Sequence, residues 1–114
     1  MREQLFTLEI TETEIQAYAA ISGDNNPIHV DKAAALAAGL STPCAHGMLV
    51  TGKLMALLHD ENILSTAPKR TDFSYLSPIQ ANEQLKIEVS PAGSYLKVNI
   101  SNKAGLAIKG TIEF

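Results

Sequence analysis

The chain has no tryptophan, one cysteine and few aromatic rings, and its 114 residues contain neither a basic run nor a long apolar one. Each shortage excludes something. With Cys44 alone no disulfide can close within the chain, so packing must hold the core, as suits a reducing compartment. Nine Lys and Arg against twelve Asp and Glu leave a net charge of −3. That balance lacks the electrostatic footprint of a nucleic-acid or anionic-membrane binder. The longest apolar run, Ala33 to Leu40, falls far short of the roughly 20 residues that insert across a bilayer. The opening Met1-Arg2-Glu3-Gln4-Leu5-Phe6-Thr7 alternates polar and apolar where a secretory leader needs a continuous apolar block. The expectation is a cytoplasmic protein. Its length suits a single domain, 1–114, that has one core and exposes much surface as a monomer, which oligomerisation would relieve.

What is present divides into a helical first half and a stranded second half. Phe6, Leu8 and Ile10 on one face predict an opening strand. Thr11-Glu12-Thr13-Glu14 fits a capping box, with Ile10 and Ile15 where a hydrophobic staple would put them. The helix they start should run to about Ile21, with Gly23 as its stop. A second, shorter helix would be capped by Asp31 and end at Gly39. A third begins after Pro43 and reaches about His59, so apolar all round that it should be buried.

After Pro68 the period changes to two. Leu85, Ile87 and Val89 form one apolar set, and Leu96, Val98 and Ile100 another; Leu106, Ile108 and Ile112 are expected to share a face with Phe114. Thr71, Phe73 and Tyr75 predict a further strand ended by Pro78. Turns at Pro91-Ala92-Gly93 and Asn102-Lys103-Ala104-Gly105 make consecutive hairpins. The fold class is α+β: one antiparallel sheet of about five strands, its apolar face covered by the third helix.

The chemistry-bearing residues gather in two places: Ser22-Gly23-Asp24-Asn25-Asn26-Pro27-Ile28-His29-Val30-Asp31, and Ala45-His46-Gly47-Met48-Leu49. Pro27 lacks an amide proton and pushes its predecessor out of the helical region, so the chain bends and can fold His29 back toward Asp24. A carboxylate and an imidazole would then share one small molecule such as water. Each residue also has a plainer role. Asp24 suits a turn in which it bonds its own backbone, His29 could be a satisfied half-buried histidine, and Asp31 reads as a helix cap. Asn26 orients the loop and His46 fixes the start of the third helix, both as supports of the site. A metal centre would have to join His29, Asp31 and His46, and no tight ligand spacing supports one. Cys44 has no separate base to activate it and reads as a buried bystander.

These two segments closely resemble the hydratase signature of the MaoC-like dehydratase family, which includes (R)-specific enoyl-CoA hydratases; Phe73 and Leu76-Ser77-Pro78-Ile79 follow in family order. The resemblance implies a hotdog fold, a curved sheet wrapped around a long central helix beginning near Ala45. It implies addition of water to a trans-2-enoyl thioester of coenzyme A or acyl carrier protein, giving the (R)-3-hydroxyacyl thioester, or the reverse. Asp24 and His29 would be the catalytic pair, with Asp24 as base toward water and His29 as orienting group and proton donor. Gly47 would offer its backbone amide to the thioester carbonyl. Such chemistry needs a base, an acid and an enolate-stabilising donor, and no cofactor or metal. A homodimer is also implied. Two other functions fit the same fold, a thioesterase and a noncatalytic acyl-thioester-binding subunit.

Overall fold

The computed structural model describes residues 2–114. Among these, β1 (Gln4–Glu9), β2 (Arg70–Tyr75), β3 (Gln84–Ala92), β4 (Tyr95–Asn102) and β5 (Gly105–Glu113) form one antiparallel sheet in the order β1-β3-β4-β5-β2. Between β1 and β2 come α1 (Glu12–Ser22), α2 (Pro27–Val30), α3 (Lys32–Ala37) and α4 (Gly47–Asp60). None of these helices is long and apolar enough to cross a membrane.

The period-two pattern sets the sheet's inner face. Leu85, Ile87 and Val89 of β3 are buried, as are Leu96, Val98 and Ile100 of β4, with Ile87 opposite Ile100 and Val89 opposite Val98. Gly93, at φ 66°, turns the chain between the two strands. The β4–β5 pair departs from the expected alternation. Ile100 faces Ile108 but Ser101 faces Leu106, so Ala107 is an extra residue, a β-bulge. Ala107 and Ile108 both turn inward, at 0% and 2% exposure, while Leu106 is 40% exposed. Leu106 therefore does not share the face of Ile108 and Ile112, and Phe114 also stands largely outside the core.

The α1 signals are realised. Thr11 accepts from the Glu14 amide and Glu14 reaches back to the Thr11 amide, completing the capping box. Gly23 closes the helix at φ 78°, its N–H donating to the Ala19 carbonyl. The bend at Pro27 is a short helix instead of a simple turn. Proline is tolerated at a first helical position, where its missing N–H has no intrahelical partner to lose, and the Asn26 side chain accepts from the Ile28 amide ahead of it.

Helix α4 starts later than expected, at Gly47. The cause is long-range: the Cys44 amide donates to the Ile28 carbonyl and the Ala45 amide to the Ile79 carbonyl, bonds that hold the lead-in extended. The helix is also not buried all round. Val50, Leu54 and Leu58 join the strands in one apolar core, which places α4 against the sheet as the hotdog arrangement requires, but Met48 on its other side is 67% exposed. A single sheet covers only one face of a helix.

Lys53 of α4 ties the layers together. Its ammonium lies 2.7 Å from Glu14 Oε2 and donates to the Glu9 carbonyl at 2.8 Å. The hydrogen bond from Lys53, helped by the Thr11 amide, holds the Glu14 carboxyl below the ordinary carboxylate range. A carboxylate whose pKa is depressed by folding adds stability above its unfolded pKa of about 4.3 and loses it as pH falls through the lower folded value. Glu14→Gln keeps the capping geometry and removes the charge. The variant should melt below wild type at neutral pH, and the gap should close in acid. Thermal melts followed by circular dichroism from pH 7 downward check this, and a gap independent of pH would show that the ion pair contributes nothing.

Candidate active site

The loop after α1 is organised by its own side chains. Ser22 Oγ accepts from the Asp24 amide at 3.2 Å, and Asp24 Oδ1 accepts from the Asn26 amide at 3.3 Å. Asp24 is thus a turn residue on one carboxylate oxygen, which leaves Oδ2 free to face elsewhere. It faces His29: Oδ2 lies 4.0 Å from His29 Nε2, the carboxylate side chain half-exposed and the imidazole largely buried.

His29 is held from behind. Its Nδ1 lies 2.7 Å from the Cys44 carbonyl oxygen, and a carbonyl can only accept, so Nδ1 carries a proton. In the neutral ring Nε2 then presents its lone pair toward Asp24. Cys44 Sγ sits 3.6 Å from the same Nδ1. Burial pushes the Cys44 thiol above its ordinary pKa, which keeps it protonated and poorly nucleophilic.

His46 lies beneath this pair, 3% exposed. Its ring stacks on His29 with centroids 3.8 Å apart, and Tyr18 of α1 packs against the same His46 ring in a tilted arrangement with centroids 4.8 Å apart. His46 Nε2 donates to the Asp24 carbonyl at 2.9 Å, which leaves Nδ1 buried without a partner among the described residues. Ligand atoms of Asp24, His29 and His46 all lie within 4.8 Å of one another, a closer group than the spacing of His29, Asp31 and His46 offered. The stacking works against a common metal centre. Each ring directs its lone pairs within its own plane, and planes only 21° apart do not converge on one ion. Asp31 is occupied as the cap of α3, accepting from the Ala33 amide.

At the start of α4 the first amides have no preceding helical carbonyl, and the His46 side chain does not cap them. Gly47 there lines an apolar cavity of about 490 Å³ with Ile28, Cys44, Ala45, Met48, Val50, Tyr75, Leu76, Ile79 and Ile108 among its walls. Asp24 and His29 are not among the lining residues; Ile28 and Cys44, their neighbours in chain and in space, are. The chemical capability is therefore composite: an acceptor pair beside a helix end that offers N–H groups and the positive end of a dipole, next to an apolar chamber. Tyr75 was visible in the sequence only as a strand residue. A Cβ on Gly47 would stand 2.5 Å from its Cε1 and 2.7 Å from its Cδ1, so glycine is what lets the ring approach.

Residues 2–109 match the family model described as MaoC like domain. Curated relatives include the (R)-specific enoyl-CoA hydratase of Aeromonas caviae, 42% identical over 45 residues, which are 40% of this chain and 34% of that protein. The 3-hydroxyacyl-thioester dehydratase X of Mycobacterium tuberculosis is 45% identical over 49 residues, 43% of this chain and 18% of that protein. The matches thus span well under two thirds of these relatives' own lengths. Among solved structures, the (R)-hydratase from A. caviae superposes with a TM-score of 0.82 at 24% identity, covering 97% of this chain and 91% of that one, a likeness of fold.

The contact between Gly47 and Tyr75 makes a coupling that stability measurements can read. Gly47→Ala should destabilise by about 1–3 kcal/mol through overpacking. In a Tyr75→Ala background the same change should be neutral or slightly favourable, since the ring is gone and alanine is the better helix former. Denaturant unfolding of the four proteins should give a coupling of about 1 kcal/mol or more; strict additivity would mean that the ring does not rest on the glycine.

Proposed function

The chain belongs to the family of MaoC-like domains, and from that premise we propose that it adds water stereospecifically to a trans-2-enoyl thioester, or removes it from the (R)-3-hydroxyacyl thioester. The observation that carries this reading is the facing of Asp24 Oδ2 and His29 Nε2, 4.0 Å apart, beside the uncapped first turn of α4. In this reading the 114 residues form one hotdog domain, and coenzyme A or acyl carrier protein bears the acyl group.

Water held by the pair donates one hydrogen to each acceptor. The Nδ1 proton of His29 is committed to the Cys44 carbonyl, so the neutral ring has no proton on Nε2 to give until it has received one. This supports a division opposite to the one expected from sequence, with His29 taking the proton of water and Asp24 orienting it. As oxygen bonds the β-carbon, the alkene electrons move to the thioester oxygen. The Gly47 amide stabilises that enolate oxygen, a contact worth about 10²- to 10³-fold in rate. The imidazolium then returns its proton to the α-carbon, and the account of atoms closes without any further reagent. Because one pair handles both water and proton on one side of the substrate, a single stereoisomer results. Asn26 and His46 support the site, the first by capping α2 and the second by holding the Asp24 carbonyl.

Crotonyl-CoA tests the reading. Loss of enoyl absorbance without release of free thiol is expected, whereas thiol release would mark a thioesterase and neither signal a noncatalytic binder. Asp24→Asn and His29→Ala should each slow hydration by about 10²- to 10⁴-fold while circular dichroism stays unchanged. A double variant that hydrates at the wild-type rate would sink the mechanism.

We further propose a homodimer. Among the described residues the sheet ends in unpaired edges at β1 and β2, and a second copy that continued the sheet would cover one of them. Sedimentation at micromolar concentration should give twice the chain mass; an active monomer would remove the interface from the reading.

A further inference from the structure

Taking the cavity as an acyl-thioester site, we propose that Tyr75 determines specificity: its ring closes the cavity beside Gly47 and excludes acyl groups branched at the carbon next to the thioester carbonyl.

The cavity has an inner and an outer part. Ala45, Val50, Ile79 and Ile108 form a buried inner wall, while Met48, Tyr75 and Leu76 form a rim that is 67%, 49% and 51% exposed. Gly47 lies between the two. A thioester oxygen bonded to its amide at about 2.9 Å brings the carbonyl carbon close to the Gly47 backbone, with the α-carbon and the sulfur as its substituents. The ring is already there. Its Cε1, Cδ1 and Cζ atoms stand 2.5, 2.7 and 3.1 Å from the position a Gly47 Cβ would take. An unbranched α-carbon can pass such a wall, but a methyl branch needs volume the ring occupies.

Two contacts hold the ring in place. On one side the absence of a Cβ lets it settle against Gly47, and on the other its hydroxyl meets Met48 Sδ at 3.8 Å. The chain on either side is anchored as well: β2 pairs Tyr75 with Ile108, and the amides of Leu76 and Ser77 both donate to the Ala107 carbonyl at the β-bulge. The ring therefore forms a positioned wall, and the exclusion belongs to its bulk and not to its hydroxyl.

Saturated thioesters carry no double bond to hydrate, so their binding reads the cavity apart from turnover. Isothermal titration of butanoyl-CoA against 2-methylbutanoyl-CoA should show wild type favouring the straight chain, within the roughly 10- to 200-fold that one methyl group can discriminate. Tyr75→Ala should narrow that preference by about tenfold, and Tyr75→Phe should keep it, with circular dichroism confirming the fold of each. A folded Tyr75→Ala that retains the wild-type preference overturns the role of the ring and leaves the thioester site standing, as does wild type binding both ligands equally. Loss of preference in Tyr75→Phe transfers the discrimination to the hydroxyl and overturns exclusion by bulk. Wild type binding neither thioester overturns the site itself and the proposal with it.

Discussion

The peptide groups of Cys44 are the constraint on which the site depends. Its amide donates to the Ile28 carbonyl at 2.9 Å and its carbonyl accepts from His29 Nδ1 at 2.7 Å, so one residue clamps two neighbouring residues of α2. Three consequences follow from that clamp. It sets the tautomer of His29, it turns Nε2 toward Asp24, and it keeps the lead-in to α4 extended so that the helix begins at Gly47 with its first amides unclaimed. The thiol of the same residue takes no part in this, being buried and held protonated. A buried cysteine here supplies a backbone in the right place.

A second layer of support comes from His46. It stacks under His29 and donates to the Asp24 carbonyl, so it touches both members of the facing pair from below. Its Nδ1 is buried without a partner among the described residues, and a buried acceptor left so costs about 1–3 kcal/mol. A residue of equal size without that nitrogen would be cheaper to bury, but it would lose the Nε2–H that holds the loop. Stability and pre-organisation are in opposition at this position, and the loop's geometry is what the imidazole preserves.

Close approach of a ring to glycine recurs two residues earlier on β2. Gly47 receives Tyr75, and Gly110, paired with Phe73 across β2 and β5, leaves no room for a Cβ, which would lie 2.5 Å from the Asp72 carbonyl oxygen. The β-bulge adjoins them, one residue before Ile108, the partner of Tyr75. Ala107 anchors the segment after β2 through its carbonyl, and Ile108 turns inward to become part of the cavity wall. One irregularity in strand pairing thus fixes both the rim and the floor of the chamber.

The features legible in the sequence are those that neighbouring residues settle among themselves. Capping of α1 needs only Thr11 and Glu14, the alternation in β3 and β4 needs only its own period, and Gly23 stops a helix with its own φ. The α+β class followed from such local patterns, while the hotdog arrangement was implied by the family resemblance of the segments around Asp24, His29 and Gly47. What the sequence misjudged is what distant residues decide. The start of α4 shifted because carbonyls of Ile28 and Ile79 claim the amides before it, Leu106 left the core face because register with β4 slips at Ser101, and α4 kept an open side because one sheet covers one face. The same holds for the site. Sequence alone singled out Asp24, Asn26, His29, His46 and Gly47 in two separate segments, but the tautomer of His29, the stacking of His46 and the position of the Tyr75 ring are properties of contacts between segments, because hydrogen-bond direction and ring packing exist only once those segments meet.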